Sequence, residues 1–240
     1  MTIRLVTFDL DDTLWEIAPV IHSAEALLRD WFADAAPRLG SVPVEHLWAI
    51  RDRLLQQDAG LKHRVSEMRR RVIHQALLDA GYGEPEAAQL AEAGFAVYLA
   101  ARQQVTLFDD VHPTLEQLAD RYTLGVLTNG NADVQTIGLA DYFRFALNAE
   151  QLGVGKPDPT PFREALRLTG IPAEATVHVG DNPVDDVEGA QRAGIRAVWF
   201  NPLQHPWQGP GKPDAEVRSL SELPAVLEGW SGRPKNSNTK

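Results

Sequence analysis

Val6-Thr7-Phe8-Asp9-Leu10-Asp11-Asp12-Thr13-Leu14 sets an apolar run directly against a group of acids. Ile3, Leu5, Val6 and Phe8 read as a short buried strand that stops at Asp9 and passes into a polar loop. In an extended chain the side chains of residues i and i+2 leave from the same side, so Asp9 and Asp11 face one volume while Leu10 points into the core. Of two carboxylates in one site, one can serve as nucleophile or metal ligand and the other as acid/base, and a divalent cation between them would relieve their repulsion. Aspartates are also common in turns, and on this stretch alone an acidic turn explains the pattern equally well.

Outward from Leu14 the period changes. Residues 19–39, 43–58, 64–80 and 84–104 carry apolar side chains at helical spacing, for example Val20, Ala24, Leu27, Leu28, Trp31 and Phe32 in the first. From Asp109 the pattern becomes alternating helix and strand, which points to a parallel sheet covered by helices on both faces. Strands are expected over 123–127, 143–147, 175–179 and 197–200, and helices over 113–120, 133–138, 162–169, 183–193 and 221–228. Asp158 reads as a helix N-cap with Pro159 at the first helical position. Residues 201–215, rich in proline and glycine, are expected to be irregular. The chain is therefore an α/β fold whose first strand is separated from the others by a helical insertion far longer than an ordinary connection. That insertion leaves just beyond Asp11, at the carboxyl ends of the strands where open α/β sheets bind ligands, and it can act as a lid. The expected boundaries are 1–14 with 107–230 for the α/β catalytic core, 15–106 for the helical cap and 231–240 for a polar, disordered tail.

With 240 residues, 44% of them hydrophobic, the chain can bury a proper core. A formal net charge of -10 gives no general attraction to nucleic acid or to an anionic membrane surface, and neither partner is expected. The absence of cysteine removes disulfides, thiolate metal sites and cysteine nucleophiles, and fits a reducing compartment. With neither a signal-peptide pattern nor an apolar stretch long enough to span a bilayer, the expected location is cytoplasmic.

Four polar motifs each follow a strand or the loop leaving one: Asp9 to Thr13, Thr128 to Asn131, Lys156, and Gly180 to Asp186. Their convergence at one sheet edge makes the catalytic reading outweigh the acidic turn. The residue types are those of phosphoryl transfer, which is mostly positioning and charge stabilisation. Thr128 offers a hydroxyl, and the amides of Asn129 and Gly130 open a loop into a helix N-terminus, a ready anion site. Lys156 can place a fixed positive charge on phosphoryl oxygens and on the nucleophile. Asp181 extends the carboxylates to a set that suits Mg²⁺. Asp185 reads better as a helix-dipole acid than as a site residue.

These motifs resemble those of the haloacid dehalogenase superfamily from about Ile3 to Gly229. Asp9-Leu10-Asp11-Asp12-Thr13 fits its D-x-D-x-T motif, Thr128 its second motif, Lys156-Pro157-Asp158-Pro159 its lysine motif, and Gly180-Asp181 with Asp186 its terminal acidic motif. The resemblance implies a Rossmann-like parallel sheet sandwiched by helices, with an inserted helical-bundle cap of the first type. It further implies that Asp9 attacks phosphorus to form an aspartyl-phosphate and that Asp11 protonates the leaving oxygen and then activates water. Mg²⁺ would be held by the Asp9 carboxylate, the Asp11 backbone carbonyl and Asp181, while Asp186 would support Lys156 or a metal-bound water. Superfamily dehalogenases lack an acid at the position of Asp11, so the resemblance favours a phosphatase.

The expected partner is a small-molecule phosphate ester chosen by the cap. The chain looks most like the bacterial branch that hydrolyses flavin mononucleotide and the phosphorylated pyrimidine precursor of riboflavin. A sugar-phosphate mutase or phosphotransferase of the same superfamily, or a non-catalytic binding module that keeps the fold, are the alternatives. On the cap, Arg64 and Arg69 stand out as candidates to meet an anionic substrate, and Trp15 can either stack on a ring or pack at the hinge. His22, His63 and His74 have no metal-ligand spacing and carry no assignment.

Overall fold

The computed structural model describes residues 2–40, 42–209 and 211–230; the tail 231–240, expected to be disordered, lies outside the described residues. Strand β1 (Leu5–Phe8) is followed by four long helices, α1 (Ile17–Ala35), α2 (Val44–Gln57), α3 (Val65–Asp79) and α4 (Glu84–Arg102). Then come α5 (Val111–Ala119), β2 (Thr123–Thr128), α6 (Val134–Ile137), β3 (Phe145–Asn148), α7 (Ala149–Leu152), α8 (Pro159–Thr169) and β4 (Thr176–Gly180). A π-helical turn over Pro183–Glu188 runs into α9 (Gly189–Arg192), and β5 (Arg196–Phe200), β6 (Ala215–Val217) and α10 (Leu223–Trp230) complete the order.

The strands form one six-stranded sheet in the order β3-β2-β1-β4-β5-β6, with every neighbouring pair parallel. Central parallel strands are covered on both faces, which is why β1 and β4 are buried at every position. Val6, Phe8, Val126, Val177 and Val198 share one core with Leu115, Leu118, Leu223 and Leu227. Leu127, Phe162, Ala165, Val187 and Trp199 form a second. Each large apolar side chain so buried contributes about 1.5–3 kcal/mol relative to exposure. The strand order reverses beside β1, so a crevice opens at the carboxyl ends of β1 and β4. Phe8 is level with Val126 of β2 and Val179 of β4. Asp9 therefore emerges one residue past that level, and Thr128 and Asp181 two residues past it.

Between β1 and α5, the helices α1, α3 and α4 bury Ala24, Leu28, Phe32, Ile73, Leu77, Phe95 and Tyr98 in a core of their own. The helices touch the sheet's carboxyl edge through the start of α3 and the turn before it. Glu150 accepts from the amides of Ser66 (3.3 Å) and Glu67 (3.2 Å), two of the amides that a helix start leaves without partners. Gly155 N donates to His63 Nδ1 at 3.1 Å.

Several sequence expectations are corrected. The irregular segment ends in a sixth strand, β6, which pairs with β5 at the sheet edge. With three residues and an exposed Glu216 at its centre it shows too little periodicity to read. The strand expected over 143–147 begins at Phe145, because residues 140–142 wind into a tight turn in which Phe143 N donates to Ala140 O. The helix expected over 183–193 starts as a π turn, with Val187 N reaching back to Asn182 O at 3.3 Å. No helix among the described residues is long and apolar enough to cross a membrane.

Candidate active site

The turn after β1 is built by the residues that follow it. Asp9 N donates to Val179 O (2.9 Å), and Thr13 N and Leu14 N both donate back to Leu10 O. Asp12 takes a left-handed backbone (φ 57°), which aspartate tolerates better than most residues, and its Oδ1 accepts from Ile17 N at the start of α1. Asp9 and Asp11 line the same cavity, about 170 Å³ in volume, together with Asn129, Lys156, Asp181 and Asp186. A larger cavity of about 520 Å³ lies between the start of α1 and residues 104–109, but no lysine, arginine or histidine lines it. The ionisable set, rather than size, marks the site.

Lys156 is buried and its Nζ donates to Asp9 Oδ1 and Asp186 Oδ1, both at 2.6 Å. Burial alone would discharge this ammonium, but the two carboxylates outweigh it and hold the group above its ordinary pKa. The same charge and a hydrogen bond from His178 overcome burial at Asp186 and hold that carboxyl below its ordinary range. Asp9 goes the other way: burial, helped by the fields of Asp186 and Asp181, raises it in spite of Lys156. Asn129 clamps the lysine's backbone, its Oδ1 accepting from Lys156 N (2.8 Å) and its Nδ2 donating to Lys156 O (2.9 Å).

Asp11 is held by two residues, Trp15 just before the helices and Arg102 at the end of the last of them. Trp15 Nε1 donates to Asp11 Oδ1 at 3.0 Å, and Arg102 Nη2 lies 2.7 Å from both Asp11 oxygens. Burial nevertheless raises the Asp11 carboxyl above its ordinary value. Gly130 packs against the same carboxylate: a Cβ at that position would come within 2.7 Å of Asp11 Oδ2. Gly130 N donates to Thr128 Oγ1 (3.0 Å), which turns the hydroxyl proton outward. Of the two amides expected to form an anion site here, that of Gly130 is spent on Thr128, and α6 begins only at Val134, behind its own cap Asp133.

Other expectations change as well. Arg64 pairs with Asp58 and with Glu67 (2.7 Å), and Arg69 pairs with Glu25 (2.7 Å) while lying 3.7 Å above the Tyr98 ring. Both arginines are thus engaged within the helices. Trp15 is fully buried, which leaves its ring closed to stacking on a ligand. Asp185, read as a helix-dipole acid, lines the cavity and accepts from Asn129 Nδ2 at 3.2 Å. Sequence reasoning missed Arg102 and His178 altogether. A polar residue inside a five-residue buried strand is the signal that marks His178, because such a group must find a buried partner.

Asp9, Asp181 and Asp186 each bring a carboxylate oxygen within 4.8 Å of the others. The pKa of Asp181 is pushed up to about 7 by burial and by the neighbouring charges of Asp186 and Asp12. A purely oxygen donor set with this uncompensated negative field fits a hard divalent cation such as Mg²⁺.

A model of the haloacid dehalogenase-like hydrolases matches residues 3–194. The 5-amino-6-(5-phospho-D-ribitylamino)uracil phosphatase YigB of Escherichia coli is 34% identical over 94% of this chain and 96% of its own length. The phosphoserine phosphatase of Thermus thermophilus is 34% identical over 92% of this chain and 97% of its own. The crystal structure of a 2-haloacid dehalogenase from Pseudomonas syringae pv. Tomato DC3000 is similar with a TM-score of 0.94 and 61% identity, covering 95% of this chain and 100% of that one. With the match running from the strand that presents Asp9 to the helix beyond Asp186, the chain belongs to the haloacid dehalogenase-like hydrolases and is an enzyme of that family.

Proposed function

We propose that the chain is a Mg²⁺-dependent phosphomonoester hydrolase that works through an aspartyl-phosphate on Asp9. The observation that carries this reading is the second carboxylate, Asp11, which lines the same cavity as Asp9 and is held by Arg102 and Trp15. Asp9, Asp181 and, through its charge, Asp186 would hold the cation. Bound there, Mg²⁺ supplies positive charge that keeps Asp9 ionised and offsets the phosphoryl charge.

Asp9 Oδ2, the oxygen left free while Oδ1 is paired with Lys156, attacks phosphorus. Lys156 keeps its proton throughout and stabilises charge on the transferring oxygens. The Thr128 hydroxyl donates to one phosphoryl oxygen. Asp11, whose carboxyl burial raises, gives its proton to the leaving oxygen and then takes one from the water that hydrolyses Asp9's phosphate ester. Residues 15–106 act as the cap, closing on the sheet edge through His63, Ser66 and Glu67 and excluding bulk water.

The substrate is a small phosphorylated metabolite; of the two expected from the sequence, flavin mononucleotide and the phosphorylated riboflavin precursor, the likeness to YigB favours the second, 5-amino-6-(5-phospho-D-ribitylamino)uracil. A second reading, 2-haloacid dehalogenation, is favoured by the name of the similar Pseudomonas structure. It leaves Asp11 and the acidic cluster without a task. One assay separates the two: release of inorganic phosphate from a panel of phosphate monoesters, and of halide from 2-haloacids, each with Mg²⁺ and with chelator. Phosphate release that needs Mg²⁺ supports the phosphatase reading; halide release indifferent to chelator overturns it.

A further inference from the structure

We propose that His178 is a positioning residue that keeps Asp186 from ligating the metal directly and so keeps Lys156 on Asp9, an inference that rests on the phosphatase reading above. His178 sits inside β4, fully buried, in a continuous hydrogen-bonded line across neighbouring strands. Thr7 Oγ1 of β1 lies 2.9 Å from His178 Nδ1, His178 Nε2 lies 3.1 Å from Asp186 Oδ1, and Asp186 Oδ1 lies 2.6 Å from Lys156 Nζ, which reaches Asp9. Thr7, Lys156 and Asp186 are buried as well.

The chemistry of the line sets its direction. Asp186 is an ionised acceptor, so His178 must present Nε2–H to it, and the neutral imidazole then has a bare Nδ1. With Nδ1 bare, the Thr7 hydroxyl, 2.9 Å from it and 3.3 Å from Val177 O, is the donor that favours this tautomer. Asp186 is thereby the most engaged carboxylate of the cluster, with three of its four lone-pair sites used: Oδ1 accepts from Lys156 and His178, and Oδ2 accepts from Asn182 N at 2.9 Å. Asp9 accepts one bond, from Lys156 on Oδ1, so that oxygen keeps a lone pair for a cation while Oδ2 stays the nucleophile, and Asp181 accepts only a long 3.4 Å bond from Thr13 Oγ1. Of the three clustered carboxylates, Asp9 and Asp181 have most of their lone pairs to give a cation, and Asp186 has spent all but one of its own on protein donors. The Phe162 ring, nearly perpendicular to the imidazole with centroids 5.2 Å apart, packs against His178.

Loss of the His178 donor frees a second Asp186 lone pair, on Oδ1, and strengthens that carboxylate as a ligand. Asp186 then competes for the cation and draws Lys156 from Asp9. The enzyme should bind Mg²⁺ more tightly and turn over more slowly, the opposite of what loss of a ligand would do.

The test measures Mg²⁺ dissociation constants by calorimetry, and kcat and KM for 4-nitrophenyl phosphate, in wild type, His178→Val, His178→Gln and Thr7→Val. The glutamine places an amide N–H where Nε2–H stood. In His178→Val the expected result is Mg²⁺ affinity raised several-fold and kcat lowered roughly tenfold with KM unchanged, the lower end of the range for groups that orient metal ligands. His178→Gln restores both, and Thr7→Val shifts both in the same direction by less, which keeps the test open if the valine variant does not fold. Unchanged or weaker Mg²⁺ binding in His178→Val or Thr7→Val, or failure of glutamine to restore turnover, overturns the proposal while leaving the phosphatase reading intact. Absence of Mg²⁺ binding in wild type overturns both.

Discussion

Arg102 Nη2 reaches both carboxylate oxygens of Asp11 at 2.7 Å, joining the last turn of α4 to the loop after β1. The guanidinium is buried, and its Nη1 has no hydrogen-bond partner among the described residues, so Asp11 is the anion that balances it. Hydrogen bonds to charged groups are worth about 1.5–3 kcal/mol, roughly a ten- to hundredfold effect on a rate. Arg102→Leu should therefore lower kcat by that factor while leaving Mg²⁺ affinity near wild type. Steady-state kinetics with calorimetry checks it; an unchanged kcat would show that Asp11 needs no such hold.

Trp15 makes the companion contact to Asp11. Trp15→Phe keeps a large ring in the buried position and removes the N–H, at a cost near 1 kcal/mol, or about fivefold in kcat. Trp15→Ala opens a cavity and should also lower stability by about 3–5 kcal/mol, read from denaturant unfolding.

Gly130→Ala tests the packing of the site directly. Its Cβ would approach Asp11 Oδ2 to 2.7 Å, so the carboxylate must shift. A displacement of this size in a reacting group costs on the order of a hundredfold in kcat. The unfolding midpoint should stay within a few degrees of wild type, since the added methyl meets the polar groups of Asp11, Thr128 and Arg102 rather than the apolar core.

Lys156→Met removes the cation shared by two buried carboxylates. Breaking a buried pair from one side costs about 3–5 kcal/mol, and activity should fall to background. Chemical denaturation of the metal-free protein checks the stability loss, and Mg²⁺ should restore part of it by supplying the missing positive charge.

Asp181 sets the pH dependence of metal binding. Its folded pKa of about 7 lies above the ordinary carboxylate range, so between that range and pH 7 the metal-free folded protein holds a proton that the unfolded chain has released. The contribution of Asp181 to stability is therefore greatest at low pH and is lost as pH rises through about 7. Mg²⁺ needs the ionised form, so its affinity should rise with pH up to about 7, with Asp181 contributing about one released proton per ion bound at pH 6. Calorimetry in two buffers of different ionisation enthalpy measures that proton, and Asp181→Asn should abolish both the release and the binding.

The alternating half of the chain was legible because β1, β2 and β4 are apolar runs that stop abruptly at Asp9, at the Asn129 loop and at Asp181. A parallel topology sends all such ends to one edge. The same logic exposed Lys156 and Asp186. β6 was hidden because an edge strand of three residues needs no apolar alternation. Arg102 was hidden for a different reason: in Ala100-Ala101-Arg102-Gln103-Gln104 it reads as an ordinary solvated arginine at a helix end, and only the return of α4 to the sheet buries it against Asp11. Arg69 misled in the opposite sense, since its partner Glu25 is close only once α1 and α3 have packed, whereas Arg64 is engaged by its near neighbours Asp58 and Glu67.

The central claim, that Asp9 carries the phosphoryl group and Asp11 manages the protons, is tested most directly by mass analysis of the peptide containing Asp9. Asp11→Asn is incubated with Mg²⁺ and a phosphate monoester that the wild type hydrolyses, then quenched in acid. The account predicts one phosphoryl group on Asp9 in this variant and none in Asp9→Asn. An unmodified Asp9 in Asp11→Asn, together with wild-type turnover by Asp9→Asn, would contradict it.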